Sequence, residues 1–490
     1  KLLMLGIGGN FYRVVKYMYS NSKFVVKKDN FLSKAGKSER GVRQGDGLSP
    51  LLFNIFINHI DEIFDQTTSD PVVVNSTKLN CLIYADDVLL LSESKEGLQS
   101  CLNALQVYCD YWKLQINVEK TKVMIFSVGK IKKENMQFKI YDSVIEIVEK
   151  YKYLGILLSY NGNLKHAAEH MYQKSLKAIF SLKSKILDYD SMSNKLKLRL
   201  FDALIRPILT YGAEIWISDY TIKDKTLDTL PFEKLQNRFC KYLLGVHKKS
   251  SNLASRLEFG REPTINFIYS QVFKYYTRLC QLPDNRLLKE VFELDKSLFH
   301  DGYRSWYSSM QTSMEKMSIT DLDAQSSNIS KIISSKYSSR INKELTVLRN
   351  QVHDNKLNTF SQIYTQFSLQ NYLTFGLPKS KTKELSKLRI SSHDLLIERG
   401  RYFRPKVPRE NRLCMTCNKI EDEEHFMIYC SRFSMIRNDL FTRMNIDCND
   451  VKPNTGASSI ILNRLLNPAN IEETKFVCNF ISSALCIRSN

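Results

Sequence analysis

Two adjacent aspartates, Asp86 and Asp87, stand between two short apolar runs of the sequence. The runs are Cys81-Leu82-Ile83 and Val88-Leu89-Leu90-Leu91, and this pattern predicts a β-hairpin with the carboxylates at its tip. Carboxylate oxygens are hard ligands that suit Mg²⁺, so the pair could hold divalent cations against a triphosphate. The alternative is an ordinary solvated turn, because Asp is common in turns for local hydrogen-bonding reasons.

Three further motifs accompany the aspartate pair. Residues 41–53 read Gly-Val-Arg-Gln-Gly-Asp-Gly-Leu-Ser-Pro-Leu-Leu-Phe, residues 117–122 read Asn-Val-Glu-Lys-Thr-Lys, and Tyr153-Leu154-Gly155 follows. In this order and at this spacing the set resembles the palm of reverse transcriptases, specifically those of the non-LTR (LINE-type) retrotransposon group. The resemblance is detailed over residues 1 to about 160 and looser from there to about 445.

The resemblance implies a two-metal nucleotidyl transfer onto a primer 3′-hydroxyl, with two Mg²⁺ ions as cofactors. Asp86 would ligate metal directly, and Asp87 would ligate more weakly or shape the site. The residues implied in nucleotide or template contact are Arg43, Gln44, Gly45, Ser49, Tyr84, Lys120 and Lys122. The turn implied in holding the primer terminus is Tyr153-Leu154-Gly155.

Some of these roles have plain structural alternatives. The glycines fit a loop that passes under the templating base, because side chains would block that approach. Lys120 or Lys122 could protonate or neutralise the leaving pyrophosphate, but either lysine could equally be a solvated surface residue.

The family's first catalytic aspartate normally lies on a strand that precedes the glycine loop. Before Gly41 this chain has two acidic residues, and both lie in polar, lysine-rich segments rather than beside an apolar strand. We therefore expect this aspartate, the steric gate and the fingers upstream of Lys1. We also expect little or no polymerase activity from the 490-residue chain, because a carboxylate-bearing strand is then absent.

Cys414, Cys417, His425 and Cys430 form a second candidate site. Four soft or borderline ligands suit tetrahedral Zn²⁺, and a closed set of four indicates a structural site. The alternative is a group of unliganded cysteines. Many LINE-type proteins have a similar Cys-Cys-His-Cys knuckle past the thumb, which implies a role in holding template RNA or target DNA. Residues 431–490 show no convincing acidic nuclease motif.

The composition favours a polyanionic partner. Lys and Arg number 71 against 51 Asp and Glu, a formal charge of +20, which suits contact with nucleic-acid phosphates. A membrane surface is the rival partner, but no apolar run approaches the roughly 18 residues that a span needs. Eleven cysteines without disulfide-framework spacing predict reduced thiols and an intracellular protein.

The hydrophobic patterns predict an α+β fold in which a polymerase palm precedes a helical thumb. Residues 9–20 and 98–112 show helical spacing of apolar residues, Ser49-Pro50 is expected to begin a helix that reaches Phe64, and residues 123–126 are expected as a strand. Residues 164–216 are predicted to be helical and are rich in lysine. The resemblance implies a thumb that grips the product duplex, and the alternative is a solvated charged face. The Ser-rich residues 307–340 are interpreted as a flexible connection.

Residues 379–412 are the most basic stretch, with eleven Lys or Arg, four acids, and Tyr402-Phe403 among them. Basic groups interleaved with aromatics suit single-stranded nucleic acid, and the alternative is a basic linker. The expected division is palm 1–160, thumb 161–300, helical and Ser-rich connection 301–378, basic stretch with zinc knuckle 379–445, and helical tail 446–490.

The leading interpretation is an RNA-directed DNA polymerase of a non-LTR retrotransposon, present as a C-terminal portion and primed at a DNA target. Template RNA, primer or target DNA and deoxynucleoside triphosphates would be its partners, without a membrane. It would act in the nucleus on chromosomal DNA after synthesis in the cytoplasm. The alternatives are a non-catalytic nucleic-acid-binding remnant, a viral RNA-dependent RNA polymerase, which Ala85 disfavours, and a group II intron maturase.

Overall fold

The computed structural model describes residues 1–38, 41–65, 67–127, 136–188, 192–220, 224–350, 355–447 and 456–489. The chain divides into two compact units. The N-terminal unit comprises Lys1–Tyr151 with Asn285–Leu294, and the C-terminal unit comprises Lys152–Asp284 with Asp295–Asn490. Strands concentrate in the first unit and helices in the second, so the chain as a whole is α+β, as predicted.

The strands are short and lie between residues 23 and 159. They are β1 Lys23–Phe24, β2 Lys27–Lys28, β3 Phe31–Leu32, β4 Gly36–Lys37, β5 Val72–Val74, β6 Thr77–Leu79, β7 Cys81–Tyr84, β8 Asp87–Leu90, β9 Lys122–Val123, β10 Phe138–Ile140, β11 Ser143–Ile147, β12 Lys150–Tyr153 and β13 Ile156–Ser159. Apart from a three-stranded β10-β11-β9 sheet, they form two-stranded pairs.

The helices of the first half are α1 Gly9–Ser20, α2 Ser49–Ile57, α3 Lys95–Trp112, α4 Lys165–Leu182, α5 Asn194–Leu200, α6 Arg206–Leu209, α7 Ala213–Trp216, α8 Pro231–Leu244 and α9 Asn252–Leu257. Those of the second half are α10 Thr264–Gln281, α11 Leu287–His300, α12 Trp306–Met317, α13 Asp321–Ala324, α14 Ile329–Asn350, α15 Asn358–Ile363, α16 Lys379–Arg389, α17 Leu396–Arg399, α18 Ser434–Arg443, α19 Gly456–Leu466 and α20 Ile471–Ser489. None of the described helices combines the length and the apolar composition that crossing a bilayer requires.

Helix α3 organises the N-terminal unit. The hydroxyl of Ser94 accepts a hydrogen bond from the Gly97 backbone amide and so caps the helix, and Lys113 ends it in the left-handed conformation. One core joins its buried face to β9, β10 and β11 through Leu102, Val123, Phe138, Ile140 and Ile145. The periodic apolar stripe that predicted this helix is therefore the stripe that it buries.

Helix α2 is shorter than the sequence predicts. The helix ends at Ile57, and a separate 3₁₀ turn follows over Asp61–Ile63. Pro50 lies in the first turn, as expected, but Ser49 is already helical and its hydroxyl makes no capping hydrogen bond. The predicted strand over 123–126 is also wrong in extent, because β9 covers only Lys122–Val123.

The Ser-rich segment 307–340 is helical and packed, so its interpretation as a flexible connection is wrong. Helices α12, α13 and α14 cover most of it, and α12 begins with a capping box at Ser305. Helix α14 buries an apolar residue at every fourth position: Ile329, Ile333, Tyr337, Ile341 and Leu345. The serines occupy the remaining faces, which leaves the helix polar in composition but amphipathic in pattern.

The basic stretch does not form one continuous surface. Arg389 is fully buried and pairs with Glu258, with an Nη2–Oε1 distance of 2.8 Å. The hydroxyl of Tyr372 donates to the same carboxylate at 2.6 Å. Arg412 is 1 % exposed and donates to main-chain carbonyls. Two of the eleven basic side chains therefore hold the C-terminal unit together instead of facing solvent.

Strands β7 and β8 form the predicted hairpin around the aspartate pair. Tyr84 lies opposite Asp87 in the antiparallel register, so a two-residue turn, Ala85-Asp86, connects the strands. Ala85 has a φ of +52°, which β-carbon contacts make costly for any residue other than glycine. Positive φ at the first central residue is what a type II′ turn requires, and glycine is the usual choice there.

Replacing Ala85 by glycine should stabilise the chain by about 0.5–1 kcal/mol. The substitution removes left-handed strain of about 1–2 kcal/mol. Part of this gain is lost, because glycine raises the conformational entropy of the unfolded chain. Urea unfolding of the two proteins measures the difference. Ala104→Gly is the matched control, because Ala104 lies in the middle of α3 and glycine there should cost about 1 kcal/mol. A destabilised Ala85→Gly variant would contradict this geometry.

Candidate active site and metal centre

The aspartate hairpin presents its acids to solvent. Asp86 lies in the turn, Asp87 is the first residue of β8, and both side chains are exposed. Tyr84, opposite Asp87, is 64 % exposed. Within the described ranges neither carboxylate has a hydrogen-bond or ion-pair partner, so all four oxygens are available to a ligand.

The alternation of β8 fixes the direction of these groups. Val88 and Leu90 pack against a core of Ile60, Leu105, Tyr108 and Cys109. Successive side chains of a strand point to opposite faces. Asp87 precedes Val88 at the start of β8, so its side chain points to the face opposite the core. No third carboxylate, histidine or thiol joins the two aspartates in a potential metal site within the part of the chain that the structure describes.

The glycine loop before α2 is exposed at Gln44 and Gly45. Gly45 has a φ of +86°, and an added Cβ would have open space around it. The backbone conformation, not crowding, thus favours glycine here. Asp46 turns inward, accepts a hydrogen bond from the Leu48 amide at 3.1 Å, and leaves its other oxygen buried without a partner in the described residues.

Arg43 and Ser49 are engaged within the protein. The Arg43 guanidinium donates to the Ser22 hydroxyl at 2.6 and 2.9 Å and to the Met18 carbonyl at 3.0 Å, at the end of α1. Ser49 is 5 % exposed, and its hydroxyl lies 3.2 Å from the hydroxyl of Tyr19. Both side chains fasten the glycine loop to α1.

The two lysines of the 117–122 motif differ in their surroundings. Lys122 pairs with Glu146 of the neighbouring strand at 2.9 Å. Lys120 is exposed at the end of a turn whose amides bond to Asn117, and the Tyr151 hydroxyl donates to its carbonyl at 3.2 Å. The Lys120 ammonium is therefore the more accessible of the two, while its backbone is fixed.

The Tyr153-Leu154-Gly155 motif forms a second tight hairpin turn, between β12 and β13. Leu154 and Gly155 have φ values of +45° and +85°, the pattern of a type I′ turn. The Tyr211 hydroxyl donates to the Leu154 carbonyl at 2.9 Å, and its ring lies 3.0 Å from the position of a Cβ on Gly155. Tyr211 thus braces the turn, and the positive φ of Gly155 together with the close ring favours glycine at this position.

The structure brings the four predicted metal ligands together. One ligand atom from each of Cys414, Cys417, His425 and Cys430 lies within 4.8 Å of the others. The Sγ atom of Cys430 lies 3.8 Å from the Sγ atoms of Cys414 and Cys417. A π-helical turn over His425–Tyr429 lets the Cys430 amide donate to the His425 carbonyl at 2.8 Å, which places both ligands on one side.

The histidine has the character of a metal ligand. His425 is 6 % exposed, and its Nε2 atom is buried without a hydrogen-bond partner among the described residues. Burial lowers the pKa of the imidazole, which favours the neutral form that binds metals. An unsatisfied buried nitrogen beside three thiols fits a tetrahedral ion better than it fits an unliganded core.

The acidic run that precedes the histidine supports the cluster from outside. Asp422 accepts a hydrogen bond from the His425 amide at 2.9 Å. Glu421 pairs with Arg488 of α20 at 2.7 Å, and Glu423 pairs with the buried His393 at 2.8 Å. Glu421 and Glu423 therefore tie the knuckle to α20 and to His393, and Asp422 bonds to the backbone of the knuckle itself.

Sequence reasoning missed the residues that position the motifs. Tyr211 lies 57 residues from the turn it braces, and Arg488 lies 67 residues from Glu421. Neither belongs to a local pattern. The hydrogen bond from the Leu48 amide to Asp46 had a signal, because Asp side chains in turns commonly bond to the backbone two residues on.

Residues 10–158 match the family described as "Reverse transcriptase (RNA-dependent DNA polymerase)". The matched range includes the glycine loop, the aspartate hairpin, both lysines and the braced turn. The metal cluster lies beyond it.

Three of the relatives that the chain matches come from mobile elements of insects. The chain is 27 % identical over 216 residues, 42 % of its length, to the "Probable RNA-directed DNA polymerase from transposon BS" of Drosophila melanogaster. It is 27 % identical over 214 residues, also 42 % of its length, to the "RNA-directed DNA polymerase from mobile element jockey" of the same species. It is 28 % identical over 159 residues, 31 % of its length, to the "Retrovirus-related Pol polyprotein from type-1 retrotransposable element R2" of Nasonia vitripennis.

The matched segments cover 23 %, 22 % and 15 % of these relatives. The shared part is therefore a fraction of longer proteins. The chain carries, over residues 10–158, a reverse transcriptase domain of the kind found in non-LTR (LINE-type) retrotransposons.

Proposed function

We propose that this chain provides the catalytic carboxylates and a nucleic-acid grip of an RNA-directed DNA polymerase, a nucleotidyltransferase of a non-LTR retrotransposon. The observation that carries the proposal is the presentation of two unpartnered carboxylates at an exposed hairpin tip, inside the segment that matches the reverse transcriptase family. Its substrates would be deoxynucleoside triphosphates on a template RNA, with primer or target DNA supplying the 3′-hydroxyl in the nucleus.

Asp86 and Asp87 fit the role of Mg²⁺ ligands, because their oxygens are exposed and unpaired within the described ranges. When bound, Mg²⁺ would supply activation of the attacking hydroxyl and neutralisation of the triphosphate. Asp86, in the turn itself, is the direct ligand in this proposal, and Asp87 is the secondary one. The two acids come from a single hairpin without a third ligand group nearby in the described residues, so the chain alone should polymerise little.

The surroundings refine the other assignments. Gln44 and the open backbone at Gly45 would contact the nascent base pair, and the exposed ring of Tyr84 would contact a nucleic-acid strand. Lys120 would neutralise the leaving pyrophosphate, since Lys122 already has Glu146 as partner. Arg43 and Ser49 would act as positioning residues, because their side chains are bonded to α1.

The remaining segments follow the family arrangement in this proposal. Residues 1–160 would be the palm and the helices of 161–300 the thumb. Tyr153-Leu154-Gly155 would hold the primer terminus, with Tyr211 keeping the turn rigid. Zn²⁺ at Cys414, Cys417, His425 and Cys430 would fix the knuckle, and the knuckle would hold template or target strands.

Asp86→Asn should weaken divalent-ion binding at the hairpin by about tenfold or more, because one direct charged ligand is removed. Mn²⁺ titration monitored by electron paramagnetic resonance, with a deoxynucleoside triphosphate and an RNA–DNA hybrid present, measures the affinity. Asp142→Asn is the matched control, since Asp142 occupies the same second position of a two-residue turn, after Tyr141 with φ +48°. Equal Mn²⁺ affinities of the two variants would show that Asp86 is not a ligand of the divalent ion.

Primer extension on an RNA template tests the polymerase itself. With Mg²⁺ the chain from Lys1 to Asn490 should give at most trace, RNA-dependent products. Asp86→Asn should abolish these products and Asp142→Asn should not. Products that survive Asp86→Asn would exclude the proposed catalytic role, and absence of products from the parent chain would favour a nucleic-acid-binding remnant.

The purified chain should contain about one zinc ion, and Cys417→Ser should lose it. Structural zinc contributes folding free energy directly, so chelation should also lower the thermal midpoint. Elemental analysis and Co²⁺ substitution, with its thiolate absorption bands, report the site. Cys486→Ser, at an exposed cysteine of α20, is the control that should keep the metal. Retention of zinc by Cys417→Ser would exclude this ligand set.

A further inference from the structure

A short loop before the metal cluster exposes two neighbouring aromatic rings. The side chains of Tyr402 and Phe403 are 63 % and 40 % exposed. Single exposed apolar residues are common on protein surfaces. Two adjacent exposed aromatic rings are a candidate contact surface, because burying them against a ligand would be favourable. Neither ring belongs to the catalytic motifs or to the ligand set, so the proposed function leaves both unexplained.

Cations surround the two rings. The Lys356 ammonium lies 5.5 Å from the centroid of the Tyr402 ring and donates to its hydroxyl at 2.9 Å. The Arg399 guanidinium lies 5.6 Å from the centroid of the Phe403 ring. Arg404 and Lys406 follow in the same loop and are exposed. The Lys356 ammonium lies beside the hydroxyl edge of the Tyr402 ring, and the exposure of both rings leaves ring surface open to a ligand.

The base of the loop is fixed. The Val407 amide donates to the Gly400 carbonyl at 3.1 Å and closes the loop. The buried Arg412 donates to the carbonyls of Val407, at 3.0 Å, and Ile397, at 2.9 Å. Its side chain packs over Gly400, where an added Cβ would lie 2.9 Å from the Arg412 side chain. A loop anchored in this way loses less conformational entropy when it binds a ligand.

The nearby acids hardly offset this positive charge. Glu398 is 3 % exposed and pairs with Arg401 at 2.9 Å. Glu421 and Glu423 turn inward to Arg488 and His393. Residues 401–412 contain five Arg or Lys and one acid, the exposed Glu410. The surface beside the rings is therefore cationic.

We propose that Tyr402 and Phe403, with Lys356, Arg399, Arg404 and Lys406, form a binding site for single-stranded nucleic acid. Bases would stack on the free faces of the two rings, while phosphates would contact Arg404 and Lys406. Stacking uses the π-face that every base has, so the site would accept RNA and DNA without a strong sequence preference. The site works without the aspartate hairpin and does not depend on polymerase activity.

Binding of fluorescent oligouridylate and oligothymidylate to the full chain tests the site, with anisotropy as readout and without primer, metal or nucleotide. The double variant Tyr402→Ala/Phe403→Ala should bind both probes more weakly by about 30-fold or more, because each lost ring removes stacking worth about fivefold or more. Tyr402→Phe/Phe403→Tyr keeps both rings and should bind like the parent chain. Tyr303→Ala removes an equally exposed tyrosine next to an exposed arginine of the same unit, and should also leave affinity unchanged.

Salt dependence separates the stacking from the phosphate contacts. Removing the rings should shift the plot of log affinity against log salt without changing its slope. Arg404→Gln/Lys406→Gln should instead reduce the slope by about 1.4, which is about 0.7 for each phosphate of a single strand that the variant no longer neutralises.

Two outcomes would overturn the proposal. One is an equal weakening of binding by Tyr303→Ala, and the other is unchanged binding by a ring-deleted variant that melts at the same temperature as the parent chain. If the alanine variant fails to fold, Tyr402→Leu/Phe403→Leu replaces it, and the same reduction in affinity is expected.

Discussion

The absence of an internal counter-charge at the aspartate hairpin, within the described residues, is the constraint on which the proposed chemistry depends. Two carboxylates in bulk water repel by only about 1 kcal/mol even at about 4 Å, so an exposed turn can hold both without a neighbouring cation. Burial would change this balance, because each unpaired charge would then carry a large desolvation cost. The alternation of β8 keeps Val88 and Leu90 in the core and leaves the acids at the tip. The charge is therefore free to attract divalent ions.

The chain distributes its other charges by a related rule. Arg389, Arg412, Glu258 and Glu423 are buried and each has a hydrogen-bonded partner, whereas other cations, among them Lys120, Arg404 and Lys406, are exposed. Burying a matched pair is tolerable, and burying one partner alone is not. This division explains why the most basic stretch of the sequence is only partly a surface. Arg389 bonds to Glu258 and to the end of α19, and Arg412 holds the loop that carries Tyr402 and Phe403.

Helices and strands could be predicted from the sequence where apolar residues recur at the helical or strand period. The hairpin around Asp86 alternates, α3 has a clear apolar stripe, and the Cys and His spacing fits a knuckle. The composition of the Ser-rich segment suggests a flexible connection, but its apolar residues from Ile329 to Leu345 stand at every fourth position and form a buried helical stripe. Partners far along the chain could not be read: Glu146 for Lys122, Tyr211 for Leu154, and Glu258 for Arg389. Such pairs are set by tertiary packing and leave no local signature.

The two tight turns of the reverse transcriptase domain illustrate how similar backbones can serve different purposes. At Leu154-Gly155 the carbonyl is held by the Tyr211 hydroxyl and the ring approaches the Gly155 Cα closely, so the backbone of this turn is already bonded. At Ala85-Asp86 no such brace exists among the described residues, and Ala85 carries the left-handed strain itself. A braced turn suits contact with a strand that must be held in register. A strained turn with free carboxylates suits a ligand that supplies the missing stabilisation when it binds, because ion coordination by Asp86 and Asp87 would then offset both the strain and the repulsion.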